Sequence, residues 1–149
     1  MNNIGIVVMD VCVPEQSYDY NLERETNDKF VEYLNCRLKA LKKQGAKIIE
    51  INYLDKTHPA LDIDFDLSTT SKEELYHFID IHKIKELIYT GFHYPICINQ
   101  SRELGSYFLT NNTKLEKVSI AIQLTRSTKE NFNIPLHETT DFGVWQVML

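Results

Sequence analysis

The segment Ile4-Gly5-Ile6-Val7-Val8-Met9 is an unbroken apolar run that stops at Asp10. A strand with one wet face alternates apolar and polar residues. A run that is apolar throughout is buried on both faces, as in parallel sheets covered by helices. Parallel neighbours need crossovers of a dozen or more residues, so this run predicts strand–helix–strand units. The following sequence supplies one. From Asp28 to Lys43, Phe30, Val31, Leu34, Leu38 and Leu41 recur at helical spacing, the last turn is basic and Gly45 follows as a stop signal. Lys47–Asn52 reads as the second strand. Residues 11–27, with Pro14, Tyr18 and Tyr20 among acids, read as a loop long enough to serve as a functional flap.

Leu61-Asp62-Ile63-Asp64-Phe65-Asp66-Leu67 alternates strictly, which fits either an edge strand with one exposed face or an extended loop. Ser71 and Glu74 form a capping box before a helix carrying Leu75, Phe78 and Ile79, and Glu86–Thr90 is the next strand. A third helix is predicted from about Ile98 to Leu109, followed by a strand over Lys117–Leu124. The tail from Thr125 to Leu149 receives no element, although Phe142, Val144, Trp145 and Val147 read as packing residues. This alternation predicts one α/β domain over residues 1–149, a Rossmann-like three-layer α/β/α architecture with a mostly parallel sheet.

Charge and cysteine usage narrow the function classes. The formal charge is −5, with lysines interspersed among acids, so no basic patch marks a nucleic-acid or anionic membrane surface. Neither a signal-peptide pattern nor a bilayer-length apolar stretch is present, and the expectation is a cytoplasmic protein. Cys12, Cys36 and Cys97 are an odd set without metal-type spacing and read as free thiols.

Ligands of open α/β sheets bind at the carboxyl ends of strands, where the strand order reverses. The first strand ends at Asp10, and the strand after the second helix ends at Gly91. In Tyr89-Thr90-Gly91-Phe92-His93-Tyr94-Pro95-Ile96-Cys97-Ile98 an apolar run reaches a glycine turn and delivers Cys97 to a helix start. Backbone N–H groups and the macrodipole there favour thiolate and can hold an oxyanion. Asp10 and Cys97 are therefore the candidate catalytic residues, and Phe92, His93 and Tyr94 the candidate binding residues, with Tyr18 and Tyr20 available as an apolar wall. Structural roles for Cys97 and Asp10 stand beside this reading. Cys12 reads as structural and Cys36 as inert. Asp55 and His58 lack a second suitably spaced histidine, so no metal is expected.

Gly91-Phe92-His93-Tyr94-Pro95-Ile96-Cys97-Ile98 resembles the isochorismatase-like cysteine hydrolase pattern of glycine, five intervening residues, cysteine and a branched apolar residue. Ile6-Val7-Val8-Met9-Asp10 resembles that superfamily's first strand with its terminal aspartate, and the likeness extends over residues 4 to 124. It implies an Asp, Lys, Cys triad acting on amides, ureido groups or an enol ether. Cys97 is then the nucleophile and Asp10 the general base. The resemblance further implies a cis peptide between Phe92 and His93, with the N–H groups of His93 and Cys97 as oxyanion-hole donors. The resemblance also implies a small-molecule substrate, no cofactor and a homo-oligomer. Two features depart from the pattern. Where the family lysine ends the third strand, this chain carries Asp62, Asp64 and Asp66, leaving Lys56 and Lys72 as nearby cations. Tyr94-Pro95 replaces a small polar and acidic pair. Two main readings follow: a hydrolase of small amide or ureido compounds working through a Cys97 thioester, or an inactive relative that binds a metabolite or protein partner. A regulatory module phosphorylated on Asp10 ranks third, because it lacks the adjoining acidic pair.

Overall fold

The computed structural model describes residues 1–12, 23–53, 56–92, 98, 103–126 and 144–149. Its elements are β1 (Ile4–Met9), α1 (Arg24–Lys43), β2 (Lys47–Ile51), β3 (Leu67–Ser68), α2 (Lys72–Ile81), β4 (Glu86–Gly91), α3 (Ser106–Leu109), β5 (Lys117–Thr125) and β6 (Trp145–Val147). The strands form a single sheet in the order β3-β2-β1-β4-β5-β6, and every pairing is parallel. The chain builds outward from β1 through β2 to β3, then returns to the other flank of β1 as β4. The order thus reverses between β1 and β4, the crevice position expected from Asp10 and Gly91.

The apolar stretch of β1 serves two cores. Ile6 and Val8 meet Val31, Leu34, Leu38 and Leu41 of α1 on one face. Val7 and Met9 meet Leu75 and Ile79 of α2, with Leu104 and Leu109, on the other. Each such side chain contributes about 1.5–3 kcal/mol when fully buried, so β1 anchors both layers and its end is well fixed. Among the described residues no helix is long and apolar enough to cross a membrane.

Helix α1 begins at Arg24, four residues before the apolar periodicity that marks Asp28 as the start. Its first turn is polar, and it joins the helix because the Asn27 N–H bonds the Glu23 carbonyl at 2.9 Å. Ser71 caps α2 by accepting from Glu74 N–H at 3.3 Å, but its own N–H donates to Thr69 Oγ1 at 2.9 Å. Of the stretch from Leu61 to Leu67, only Leu67 enters a strand; 61–65 are irregular and Asp66 is a bend whose N–H bonds the Ile48 carbonyl at 2.8 Å. Of the helix expected over Ile98–Leu109, the described residues show Ile98 in π-helical conformation, a turn and bend over 103–105 and an α-helix over Ser106–Leu109. Gly105, with extended ψ of 166°, is its N-cap. The unassigned tail completes the sheet, with Ser119 opposite Trp145 and Ala121 opposite Val147, while Val144 is buried. Phe142 lies outside the described residues.

Candidate active site

Asp10 leaves β1 in a left-handed backbone conformation, φ 52°, and is 1% exposed. Left-handed backbone costs a non-glycine residue roughly 1–2 kcal/mol, although aspartate tolerates it better than most. The main chain around it is fixed by Asp10 N–H to the Ile51 carbonyl at 2.9 Å, and its Oδ1 accepts from Tyr53 N–H at 2.8 Å. A buried carboxylate is thus held at the end of β1, beside the end of β2.

The neighbouring strand end is equally constrained. Gly91 has φ 101°, and a Cβ there would lie 2.5 Å from the Met9 carbonyl oxygen, so no side chain fits. Phe92 N–H then donates to that same carbonyl at 2.9 Å, stitching β4 to the last residue before Asp10. The Phe92 side chain is 1% exposed and meets Phe30 of α1 edge-on, ring centroids 5.4 Å apart. Its ring therefore packs into the core on the α1 side, and does not line an open crevice as a binding side chain would. His93, Tyr94 and Cys97, with Tyr18, Tyr20 and Asp55, lie outside the described residues. Ile98, the residue after Cys97, is fully buried in the core on the α2 face. Cys12 is buried and bridges to Thr57, whereas Cys36 is exposed on α1.

The three acids are not where the sequence reading puts them. They precede β3 and descend alongside α1 toward the amino edge of the sheet, away from Asp10. Asp62 takes Lys39 at 2.6 Å and Asn35 at 2.6 Å, and these bonds hold its carboxyl below the ordinary value. The Asp64 carbonyl accepts from Lys42, and Asp66 accepts from Ile48 N–H at 2.8 Å. β3 ends instead in Ser68, followed by Thr69, Thr70 and Ser71. Of the two candidate cations, Lys56 is exposed, and Lys72 holds its ammonium 5.4 Å from the Tyr76 ring centroid.

One cation at the carboxyl edge escaped the sequence reading. β5 changes register between Tyr89 and Gly91, and the bulge brings Arg126 N–H to the Gly91 carbonyl at 3.0 Å. Its guanidinium reaches Asn27 Oδ1 at 2.6 Å and Glu23 Oε2 at 3.0 Å, tying the end of β5 to the start of α1. The signal was available, since Arg126 follows a buried strand just as Asp10 does.

His58 is 5% exposed beside the same strand end, its N–H bonded to the Val11 carbonyl at 3.0 Å. Its Nδ1 accepts from Ala60 N–H at 3.0 Å, which leaves Nε2 to donate to Asp28 Oδ1 at 3.0 Å. Both ring nitrogens are engaged within the protein, so His58 does not suit metal ligation. Among the described residues no group of three His, Cys, Asp or Glu side chains is placed to hold a metal. A cleft of about 410 Å³ between α2 and residues 111–114 opens at the opposite edge of the sheet, where Asp80 and Lys114 pair at 2.6 Å.

No family model matches this sequence. No curated protein matches it either. Solved structures do. A crystal structure of an isochorismatase family protein superposes with a TM-score of 0.68 at 12% identity, covering 99% of both chains. Pyrazinamidase of Pyrococcus horikoshii, solved in complex with zinc, gives 0.64 at 15% identity over 99% of both chains. An isochorismatase from Pseudomonas putida KT2440 gives 0.64 at 13% identity, over 99% of this chain and 88% of that one. At such identities the common property is architecture, and it agrees with the parallel sheet and its switch point. This chain has the isochorismatase-like α/β fold.

Proposed function

We propose that the chain is a cysteine hydrolase acting on a small amide- or ureido-type substrate, with residues 1–149 as one catalytic domain. The observation that carries this reading is Asp10. It is a buried carboxylate, held in a left-handed conformation at the switch point, on a fold whose solved examples include a pyrazinamidase and isochorismatases. Buried charge and backbone strain both cost stability, and both concentrate where chemistry needs them.

In this mechanism Asp10 accepts the Cys97 thiol proton as sulfur attacks the substrate carbonyl carbon. The tetrahedral oxyanion rests on the backbone N–H groups of His93 and Cys97. Asp10 returns the proton to the leaving nitrogen, the C–N bond breaks and a thioester remains. Water, deprotonated by Asp10, then attacks the thioester, releasing the acid and restoring the thiol. His58, with both ring nitrogens engaged, serves as no metal ligand in this mechanism.

The placement of Lys72 over Tyr76 and the exposure of Lys56 favour a second reading, in which the crevice binds a metabolite without turning it over. Ammonia release from a panel of primary amides and ureides separates the two. The hydrolase reading expects turnover by the native chain and a loss of at least about a thousandfold in Cys97→Ala. Turnover that persists in Cys97→Ala removes the thioester. Saturable binding of panel compounds without ammonia release selects the second reading.

A further inference from the structure

Leu104 is fully buried and lies in a turn, so its peptide N–H and carbonyl need partners from outside regular structure. Both partners are tyrosine hydroxyls. Leu104 N–H donates to the Tyr53 phenol oxygen at 3.3 Å, and its carbonyl accepts from the Tyr89 hydroxyl at 2.6 Å. Tyr89 belongs to β4 and is wholly enclosed, and burial, with smaller contributions from Tyr53 and Tyr76, pushes its phenol well above the ordinary value. It therefore stays a neutral donor. Tyr53 stands two residues beyond β2, and its own backbone N–H is the donor to Asp10 Oδ1.

One residue thus touches two parts of the site. Its main chain orients the candidate base. Its side chain holds Leu104, seven residues after Cys97 in sequence. Ile98, directly after Cys97, is buried in the same apolar cluster, and Tyr53 packs against that cluster. Both ends of the stretch from Ile98 to Leu104 are therefore seated on the face that Tyr53 occupies.

We infer that Tyr53 is a positioning residue that couples Asp10 to the segment bearing Cys97. This rests on the hydrolase reading, in which those two groups work together. Tyr53 touches no reacting atom in this role. Its phenol oxygen fixes the Leu104 peptide by accepting its N–H, and its own peptide N–H orients the Asp10 carboxyl. Tyr89 shares the first task but not the second.

The test is a double-mutant cycle read by iodoacetamide alkylation of Cys97 at pH 7, with peptide mass spectrometry and exposed Cys36 as the internal reference. Asp10→Asn is made in the native chain and in Tyr53→Phe. If Tyr53 couples the two sites, the effect of Asp10→Asn on the Cys97 rate differs between the two backgrounds by about threefold or more, as for members of one hydrogen-bond network. A merely structural tyrosine lowers Tm and leaves that ratio unchanged. The core substitution Ile79→Val, on the same face but remote from Asp10, shows what lost packing alone does.

An Asp10→Asn effect of equal size in both backgrounds overturns the coupling and leaves the base reading intact. No Asp10→Asn effect in the native chain overturns the base reading, and the coupling with it. Should Tyr53→Phe fail to fold, amide exchange at Leu104 is compared between the native chain and Asp10→Asn. Faster exchange in Asp10→Asn supports the coupling, and unchanged exchange overturns it.

Discussion

The two edges of the sheet are made by the same strands and built on different principles. At the carboxyl edge, Asp10 and Gly91 take left-handed backbone, and the buried polar groups Asp10, Asn27 and His58 are tied to Tyr53, Arg126 and Asp28 from distant parts of the chain. At the amino edge, charge is exposed and paired at the surface, as in Lys114 with Asp80 and Lys39 with Asp62. Lys83, left-handed there with φ 53°, follows α2, whose end is closed by Ile84 N–H to the Ile79 carbonyl at 3.0 Å. That is an ordinary way to finish a helix. The carboxyl edge has no such local excuse. Burying polar groups costs free energy unless each is paired, so an edge that concentrates them is shaped by something besides folding.

Glycine-to-alanine substitutions at the two edges test this most severely. Gly91→Ala places a Cβ 2.5 Å from backbone oxygen at φ 101°, and nothing there can yield without moving β1. A loss of about 3 kcal/mol or more is expected in urea denaturation, with disturbance of the Asp10 environment. Gly5→Ala, near the amino edge, meets Leu87 Cδ2 at 2.8 Å, the end of a side chain that has other rotamers. It is expected to cost about 1–2 kcal/mol. Equal losses would break the contrast.

Much of this arrangement was legible in the sequence, and the misses have physical causes. The apolar run before Asp10 and the strand ending at Gly91 identified the central strands and their switch point, because burial on both faces leaves an unmistakable pattern. α1 was placed four residues late because its first turn packs through Asn27 and Arg126, polar contacts that periodicity does not register. Their spacing before α2 puts Asp62, Asp64 and Asp66 at the lysine position. The intervening chain instead runs down α1 before turning into β3, and sequence spacing says nothing about that detour. β6 was missed because a three-residue edge strand carries no period. Tyr53 and Leu104 are joined only by tertiary contact, which no motif announces.

Removing Arg126 sharpens the same comparison at intermediate size. Arg126→Ala deprives buried Asn27 of its guanidinium donor and leaves Glu23 without its ion pair. Unsatisfied buried polar groups cost about 1–3 kcal/mol, and that is the loss expected from the chemical denaturation midpoint. Lys39→Ala removes an ion pair near the opposite edge, between two largely exposed side chains, and should leave the midpoint within replicate scatter. A large effect of Lys39→Ala, or none of Arg126→Ala, would erase the distinction between the edges.

The smallest effects are in pH. Tyr89 has a folded pKa raised by burial, so its contribution is complete below the ordinary phenol value of 10.0 and is lost as pH rises beyond it. Alkaline unfolding should therefore begin near that value, and Tyr89→Phe should flatten this limb at the cost of the Leu104 hydrogen bond. Asp80 shifts the other way, lowered first by its hydrogen bond to Lys114 and then by the same ammonium's charge. Its stabilisation is present above the ordinary carboxylate range and lost as pH falls through the lowered folded value. Because both partners are exposed, water and salt screen the pair. Lys114→Ala should move the acid limb only slightly, and less at 0.5 M salt than at low salt, roughly as screening lengths shorten. The alkaline limb should be insensitive to that salt, because the Tyr89 hydroxyl is enclosed and its shift comes chiefly from lost hydration.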